Sequence, residues 1–138
     1  MTKIHSEKIE RLLDANLNRL KEGIRVIEDI NRYIYDDKIL SSTLKKLRHT
    51  LQEAYSQQRL TYRDIENDVL KESISSELQR SNIEELIIAN FSRTQESARV
   101  LEECFKLTNP TLSALSKNIR YELYAIEKLF FIQRHQDQ

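Results

Sequence analysis

One pattern of polar residues occurs twice in the chain and carries most of its chemical interest. Ala15-Asn16, Arg19, Glu22, Arg25-Val26 and Glu28 return as Ala89-Asn90, Arg93, Glu96, Arg99-Val100 and Glu102, an offset of 74 residues. Of the fifteen positions from Ala15 to Asp29, seven are identical in the second copy, where average residue usage gives roughly one by chance. Core packing alone would repeat apolar positions, yet these identities are mostly polar. The planar guanidinium of arginine suits multiply anionic phosphate, and carboxylates suit Mg²⁺. A phosphorylated ligand is the chemistry such a set could serve.

Helical geometry sharpens the pattern. Asn16 and Gly23 interrupt the apolar stripe of Leu13, Leu20 and Ile27, and Asn90 and Ser97 fall at the corresponding places. A buried Asn needs hydrogen-bond partners, and glycine lets another group come close to the backbone. The matched interruptions therefore point to a polar cavity near the axis of a bundle. The competing reading is two Asn side chains that satisfy each other or fix register. Arg19, Glu22, Arg25 and Glu28, like Arg93, Glu96, Arg99 and Glu102, are also i, i+3 ladders, and exposed pairs of that kind contribute only a few tenths of a kcal/mol. A further stripe, Asn18, Glu22, Arg25 and Asp29, is matched by Ser92, Glu96, Arg99 and Glu103. An enzyme or binder would turn the repeated Arg and Glu into a shared cleft; a scaffold would turn them outward.

Other chemistries find little support. No Gly-rich phosphate loop exists, and His5, His49 and His135 lack the spacing of zinc ligands. Cys104, the single cysteine, cannot form an internal disulfide and is expected to be a small buried hydrophobe. His49 is expected to be an interfacial structural residue. Lys plus Arg and Asp plus Glu both total 22, so the basic excess of a general nucleic-acid binder is missing. Met1 to Glu10 contain no apolar run of signal-peptide type and no segment has the length of a membrane span, so a soluble cytoplasmic protein is expected.

The elements that must position these residues are helices. One Gly and one Pro in 138 residues leave almost no breakers. The apolar spacing predicts a first helix from Ser6 to about Tyr35 and a second, capped by Asp36 or Asp37, to about Arg59. A linker over about 60–80 follows, with one short helix. A capping box, Ser81 with Glu84, should start a third helix ending near Thr108, and Asn109-Pro110 a fourth. Leu129 to Ile132 are expected to be core, with a contact between two copies as the alternative. Leu47-Arg48-His49 also resembles Ile119-Arg120-Tyr121 at an offset of 72 residues. The expected architecture is one all-α domain, 1–138: a bundle of two duplicated helical hairpins, about 6–59 and 81–136, with pseudo-twofold symmetry.

Leu12-Leu13-Asp14-Ala15-Asn16-Leu17-Asn18-Arg19, Glu22 to Asp29, Leu47-Arg48-His49, Ala89-Asn90-Phe91-Ser92-Arg93 and Glu96 to Glu103 resemble the small all-helical hydroxymethylpyrimidine phosphate kinases. These stand alone or are fused ahead of thiamine phosphate synthase, and the similarity runs from about Leu12 to Lys128. The resemblance implies an ATP-dependent, Mg²⁺-using kinase of thiamine biosynthesis, outside the ribokinase-like fold. It would convert 4-amino-5-hydroxymethyl-2-methylpyrimidine phosphate to the diphosphate without phosphorylating the free alcohol. It also implies that a thiamine-phosphate synthase label on such a chain is inherited from fusion proteins.

Within that resemblance the phosphate role falls to Arg19, Arg25, Arg48, Arg93, Arg99 and Arg120, with Arg25 and Arg99 at the transferring group. Asn16 and Asn90 would orient the pyrimidine or a phosphate, and Glu22, Asp64, Asp68 and Glu96 would hold Mg²⁺. Expected partners are the pyrimidine phosphate, a nucleotide, thiamine phosphate synthase and a second copy of the chain, with no nucleic acid and no membrane. The linker departs from the family pattern Arg-Asp then Gly-Asp-Val-Gly-Thr: Asn67 and Leu70 replace glycines, and Lys71 replaces threonine. A non-catalytic helical module that binds pathway enzymes or phosphates is the alternative function.

Overall fold

The structure, a computed structural model, describes residues 2–73 and 79–136. Its helices are α1 (Lys3–Tyr33), α2 (Lys38–Thr50), α3 (Ile83–Phe105) and α4 (Pro110–Gln136), with no strand among the described residues. The chain is all-α. The long helices α1 and α3 pack chiefly on each other; α2 packs on α1, α4 packs on α3, and α2 touches α4 only lightly. The light contact is fastened by Arg134 of α4, which lies 4.1 Å over the Tyr35 ring and 3.4 Å from the Asp37 carboxylate. Among the described residues no helix is long and apolar enough to cross a membrane.

Local chemistry sets the ends. Thr2, not Ser6, caps α1 by accepting from the His5 N–H. After α1, Asp36 takes φ 50°, a left-handed conformation that Asp tolerates better than most residues, and Asp37 caps α2 by accepting from the Leu40 N–H. The α3 box sits one residue later than expected. Asn82 accepts from the Glu85 N–H at 2.7 Å, and the Glu85 carboxylate accepts from the Ser81 N–H at 3.2 Å. Asn109 caps α4 as expected, and Pro110 opens it.

Leu13, Leu17, Leu20, Ile24 and Ile27 of α1 meet Ile87, Phe91, Ala98 and Leu101 of α3 in one core. Leu40, Leu44 and Leu47 of α2 and Ile119, Leu123, Ile126 and Phe130 of α4 complete it. Burying each of the Leu, Ile and Phe side chains contributes roughly 1.5–3 kcal/mol. The expected cluster at the end of α4 divides: Phe130 is core, while Leu129 and Ile132 are exposed. Each lies a large fraction of a turn away from the 119, 123, 126, 130 stripe. Cys104 is only partly buried, and desolvation still raises its thiol pKa. His49 is exposed rather than interfacial.

The second helix stops short of its expected end. After Thr50 the chain makes two 3₁₀ turns, Leu51–Ala54 and Gln57–Tyr62, separated by extended Tyr55 and Ser56. That turn carries Arg59 back to α1, where its Nε donates to Glu10 at 2.6 Å and its Nη1 to the Ala54 carbonyl at 2.9 Å. A buried guanidinium pairing across 49 residues overrides a continuous apolar period.

Candidate functional site

A cleft of about 540 Å³ opens between α1 and α3, lined by Asn16, Arg19, Glu22, Gly23 and Val26 from one helix and Asn90, Arg93, Glu96, Ser97 and Val100 from the other. Each α1 position returns on α3 at the offset of the repeat, an arrangement compatible with duplicated hairpins. The Asn16 amide donates to the Leu12 carbonyl at 3.0 Å, and the Asn90 amide to the Leu86 carbonyl at 2.8 Å. Each Asn side chain thus bonds one amide N–H within its own helix, and the two do not bond each other. Their Oδ1 atoms have no partner among the described residues and are left as acceptors at the cleft.

Gly23 is what lets the helices meet. A Cβ there would lie 2.5 Å from Thr94 Cγ2, and Thr94 is fully buried with its hydroxyl donating to the Phe91 carbonyl. Arg19, Arg93, Glu22 and Glu96 form the exposed polar lip, and none is in an ion pair or hydrogen bond among the described residues. The cleft therefore offers two guanidinium groups and two carboxylates without partners among the described residues, two amide acceptors, and apolar surface from Val26 and Val100.

Four of the expected phosphate ligands lie elsewhere. Arg25 and Arg99 do not line the cleft: they are exposed and pair 3.3 Å from Asp29 and 3.3 Å from Glu103 along their own helices. Arg48 and Arg120 are drawn into hairpin clamps. Arg48 Nε donates to Glu28 at 2.9 Å, and Arg120 Nη2 to Glu102 at 2.9 Å. Glu28 and Glu102 are buried and occupy equivalent repeat positions, so their recurrence has a structural cause. Arg120 also donates to the Tyr124 hydroxyl and lies over the Tyr121 ring. The hydrogen bond to Glu28 raises the Arg48 pKa; that to Tyr124, followed by those to Glu102, raises the Arg120 pKa. Both stay cationic, with their charge already matched.

The linker builds a second hollow, of about 1010 Å³, against the first half of α1. Arg63 forks onto Asp14 at 2.7 and 2.9 Å, and Arg11 donates to the Asp64 carbonyl at 3.1 Å. Asp64 closes a turn: one oxygen accepts from the Glu66 and Asn67 N–H groups, the other from the Asn67 side-chain amide at 2.8 Å. These bonds, the side-chain one first, hold its carboxyl below the usual range. Neither Asn67 nor Leu70 has positive φ, so this turn does not need the family's glycines.

The four proposed metal ligands are not gathered in one place. Glu22 borders both hollows, Asp64 and Asp68 only the linker groove, and Glu96 only the axial cleft. Among the described residues no three Asp, Glu, His or Cys side chains converge as a metal site. Sequence reasoning missed Asp14, Arg11 and Lys8 as groove residues. Their one signal was the Arg63-Asp64 pair, which gave no hint of the helix it would meet.

The ThiD2 family model matches residues 11–129, from the first half of α1 to the last turns of α4. The chain belongs to the ThiD2 family. Thiamine-phosphate synthase of Synechocystis sp. is 38% identical over 120 residues, covering 86% of this chain and 35% of that protein. The protein of the same name from Nostoc punctiforme is 37% identical over 130 residues, covering 93% and 37%, and that from Rhodopirellula baltica 37% over 130, covering 91% and 35%. The chain thus spans about a third of the length of these curated relatives. No solved structure matches it. Within the family match lie all ten lining positions of the axial cleft.

Proposed function

We propose that this chain acts in thiamine biosynthesis as an ATP-dependent kinase that converts 4-amino-5-hydroxymethyl-2-methylpyrimidine phosphate to its diphosphate. The observation that carries the reading is the axial cleft, where Arg19 and Arg93, without an ion pair among the described residues, stand with Glu22 and Glu96 beside two Asn acceptors. In this reading the synthase activity named for the relatives belongs to the two thirds of those proteins that the chain does not match.

The chemistry asks little of a general base. A dianionic phosphate oxygen attacks the terminal phosphorus of ATP, and the bond to the bridging oxygen breaks with its electron pair left on ADP. Charge balances without proton transfer, so the lack of a catalytic His is no obstacle. What remains is positioning and the neutralisation of crowded negative charge. Arg19 and Arg93 supply planar cations from two sides. Asn16 and Asn90 present Oδ1 acceptors suited to the amino group of the pyrimidine, with Val26 and Val100 offering apolar surface to its methyl group. Glu22, Glu96 and Asp68 are oxygen donors of the kind Mg²⁺ takes, and they fit it as single ligands that share a metal with phosphate rather than as a closed cage. Bound there, Mg²⁺ would offset charge on the phosphate oxygens.

The test is a coupled assay with ATP, Mg²⁺ and the pyrimidine monophosphate. ADP release that depends on the monophosphate, with none on the free alcohol, supports the reading. Tight binding of the monophosphate with no ADP release would leave a binding module in its place.

A further inference from the structure

The axial cleft and the linker groove are separate hollows that share Asn16, Arg19 and Glu22. Those three residues belong to the first repeat only. Their counterparts Asn90, Arg93 and Glu96 border the axial cleft alone, so the two halves of the repeat are not equivalent. The groove is long. Lys8 and Arg19 both line it, and the eleven helical steps of α1 from one to the other amount to roughly 16 Å. Its walls carry both signs of charge: Lys8, Arg11 and Lys71 with Glu66 and Asp68. A bare polyanion would be repelled by such carboxylates, whereas a polyphosphate carrying a divalent cation is complementary to a mixed surface. Leu12 and Ile65, both exposed, add apolar surface of the kind a nucleobase covers.

Resting on the kinase reading above, we propose that the linker groove is the donor compartment. A metal-chelated nucleoside triphosphate lies along the first half of α1 with its terminal phosphoryl group at Asn16, Arg19 and Glu22, where the groove meets the acceptor cleft. Arg19 then touches both reactants while Arg93 touches only the acceptor. The first repeat carries the transfer, and the second completes the pocket for the pyrimidine phosphate. The stretch from Arg63 to Lys71 is a working wall of the site, held on α1 by Arg63 on Asp14 and Arg11 on the Asp64 carbonyl.

The experiment is calorimetric titration of the full chain with two ligands separately: adenylyl imidodiphosphate with Mg²⁺, and the pyrimidine monophosphate. The Lys8→Glu/Lys71→Glu double variant alters only exposed positions, and its melting curve should match wild type. Its nucleotide affinity should fall at least tenfold while its affinity for the monophosphate stays within twofold. Arg93→Ala should weaken only the monophosphate, and Arg19→Ala should weaken both. Wild-type nucleotide affinity in the double variant, or nucleotide binding lost in Arg93→Ala alone, overturns the compartment assignment and leaves the kinase reading standing. A wild-type chain that binds the monophosphate but no nucleotide removes the kinase reading, and the donor groove with it.

Discussion

Replacing Gly23 by Ala adds one methyl group at the closest approach of α1 and α3. The new Cβ would sit 2.5 Å from Thr94 Cγ2, and ordinary contact begins near 3.4 Å, so about 0.9 Å of separation must be found. Thr94 cannot easily give way, because it is fully buried and its hydroxyl is held by the Phe91 carbonyl. Two effects oppose. Ala is the better helix former by about 1 kcal/mol, whereas overpacking a tight interface costs roughly 1–3 kcal/mol. The net loss of stability should therefore be modest, on the order of 1 kcal/mol. The cleft suffers more, since its two walls are the two helices being pushed apart. A misplacement of about 1 Å can cost on the order of 100-fold in rate. Thermal melts and binding of the pyrimidine monophosphate should separate the two effects, with a small fall in Tm beside a large fall in affinity. Adding Thr94→Ser removes Cγ2 but keeps the hydroxyl, and should restore most of both. A Gly23→Ala variant with wild-type affinity, or one that Thr94→Ser does not rescue, would refute this account of the glycine.

Lys substitutions should sort the repeated arginines by location. Arg19→Lys should lower turnover by on the order of 10³-fold, because a planar fork onto the transferring phosphate is lost, whereas Arg93→Lys should chiefly weaken the pyrimidine monophosphate; Arg25→Lys and Arg99→Lys should leave turnover near wild type and shift stability by well under about 1 kcal/mol. Arg120→Met leaves the buried Glu102 carboxylate with only the exposed Arg99, 4.0 Å away, and should cost about 3 kcal/mol by denaturant unfolding, a cost that a second change, Glu102→Leu, should largely remove. Asp64 has a lowered folded pKa, so the turn it closes is fully formed above the ordinary carboxylate range and is lost as pH falls through the lowered value. Carboxyl-carbon NMR titration of Asn67→Gly, which deletes the largest stabilising bond, should show that pKa move up; an unchanged value would mean that the Asn67 side-chain bond is not formed in solution.

Apolar spacing and caps made the helices legible, and the duplicated pattern made a polar cavity legible. Matched Asn residues inside an apolar stripe pointed to a polar cavity near the bundle axis, with a mutual Asn pair as the competing reading, and the cleft lies between α1 and α3. The ladders misled for a geometric reason. A step of three residues turns about 300° around a helix, a drift of about 60° backwards. Arg19 and Glu22 therefore border the cleft, Arg25 has swung to solvent, and Glu28 lies about 180° from Arg19, against α2. The clamps Glu28–Arg48 and Glu102–Arg120 were hidden because each joins residues on different helices, and only the recurrence of both partners at similar offsets foreshadowed them. The end of α2 was hidden too, since Arg59 resembles one more exposed helical residue until Glu10 is brought beside it.

The central claim is that the phosphorylated pyrimidine lies between the two copies of the repeat. A crystal structure of the chain with the pyrimidine monophosphate tests it most directly. The phosphate should lie between Arg19 and Arg93, with the ring amino group on Asn16 or Asn90 Oδ1. Ligand density confined to the Arg25 and Arg99 faces, or to the hairpin clamps at Arg48 and Arg120, would contradict it.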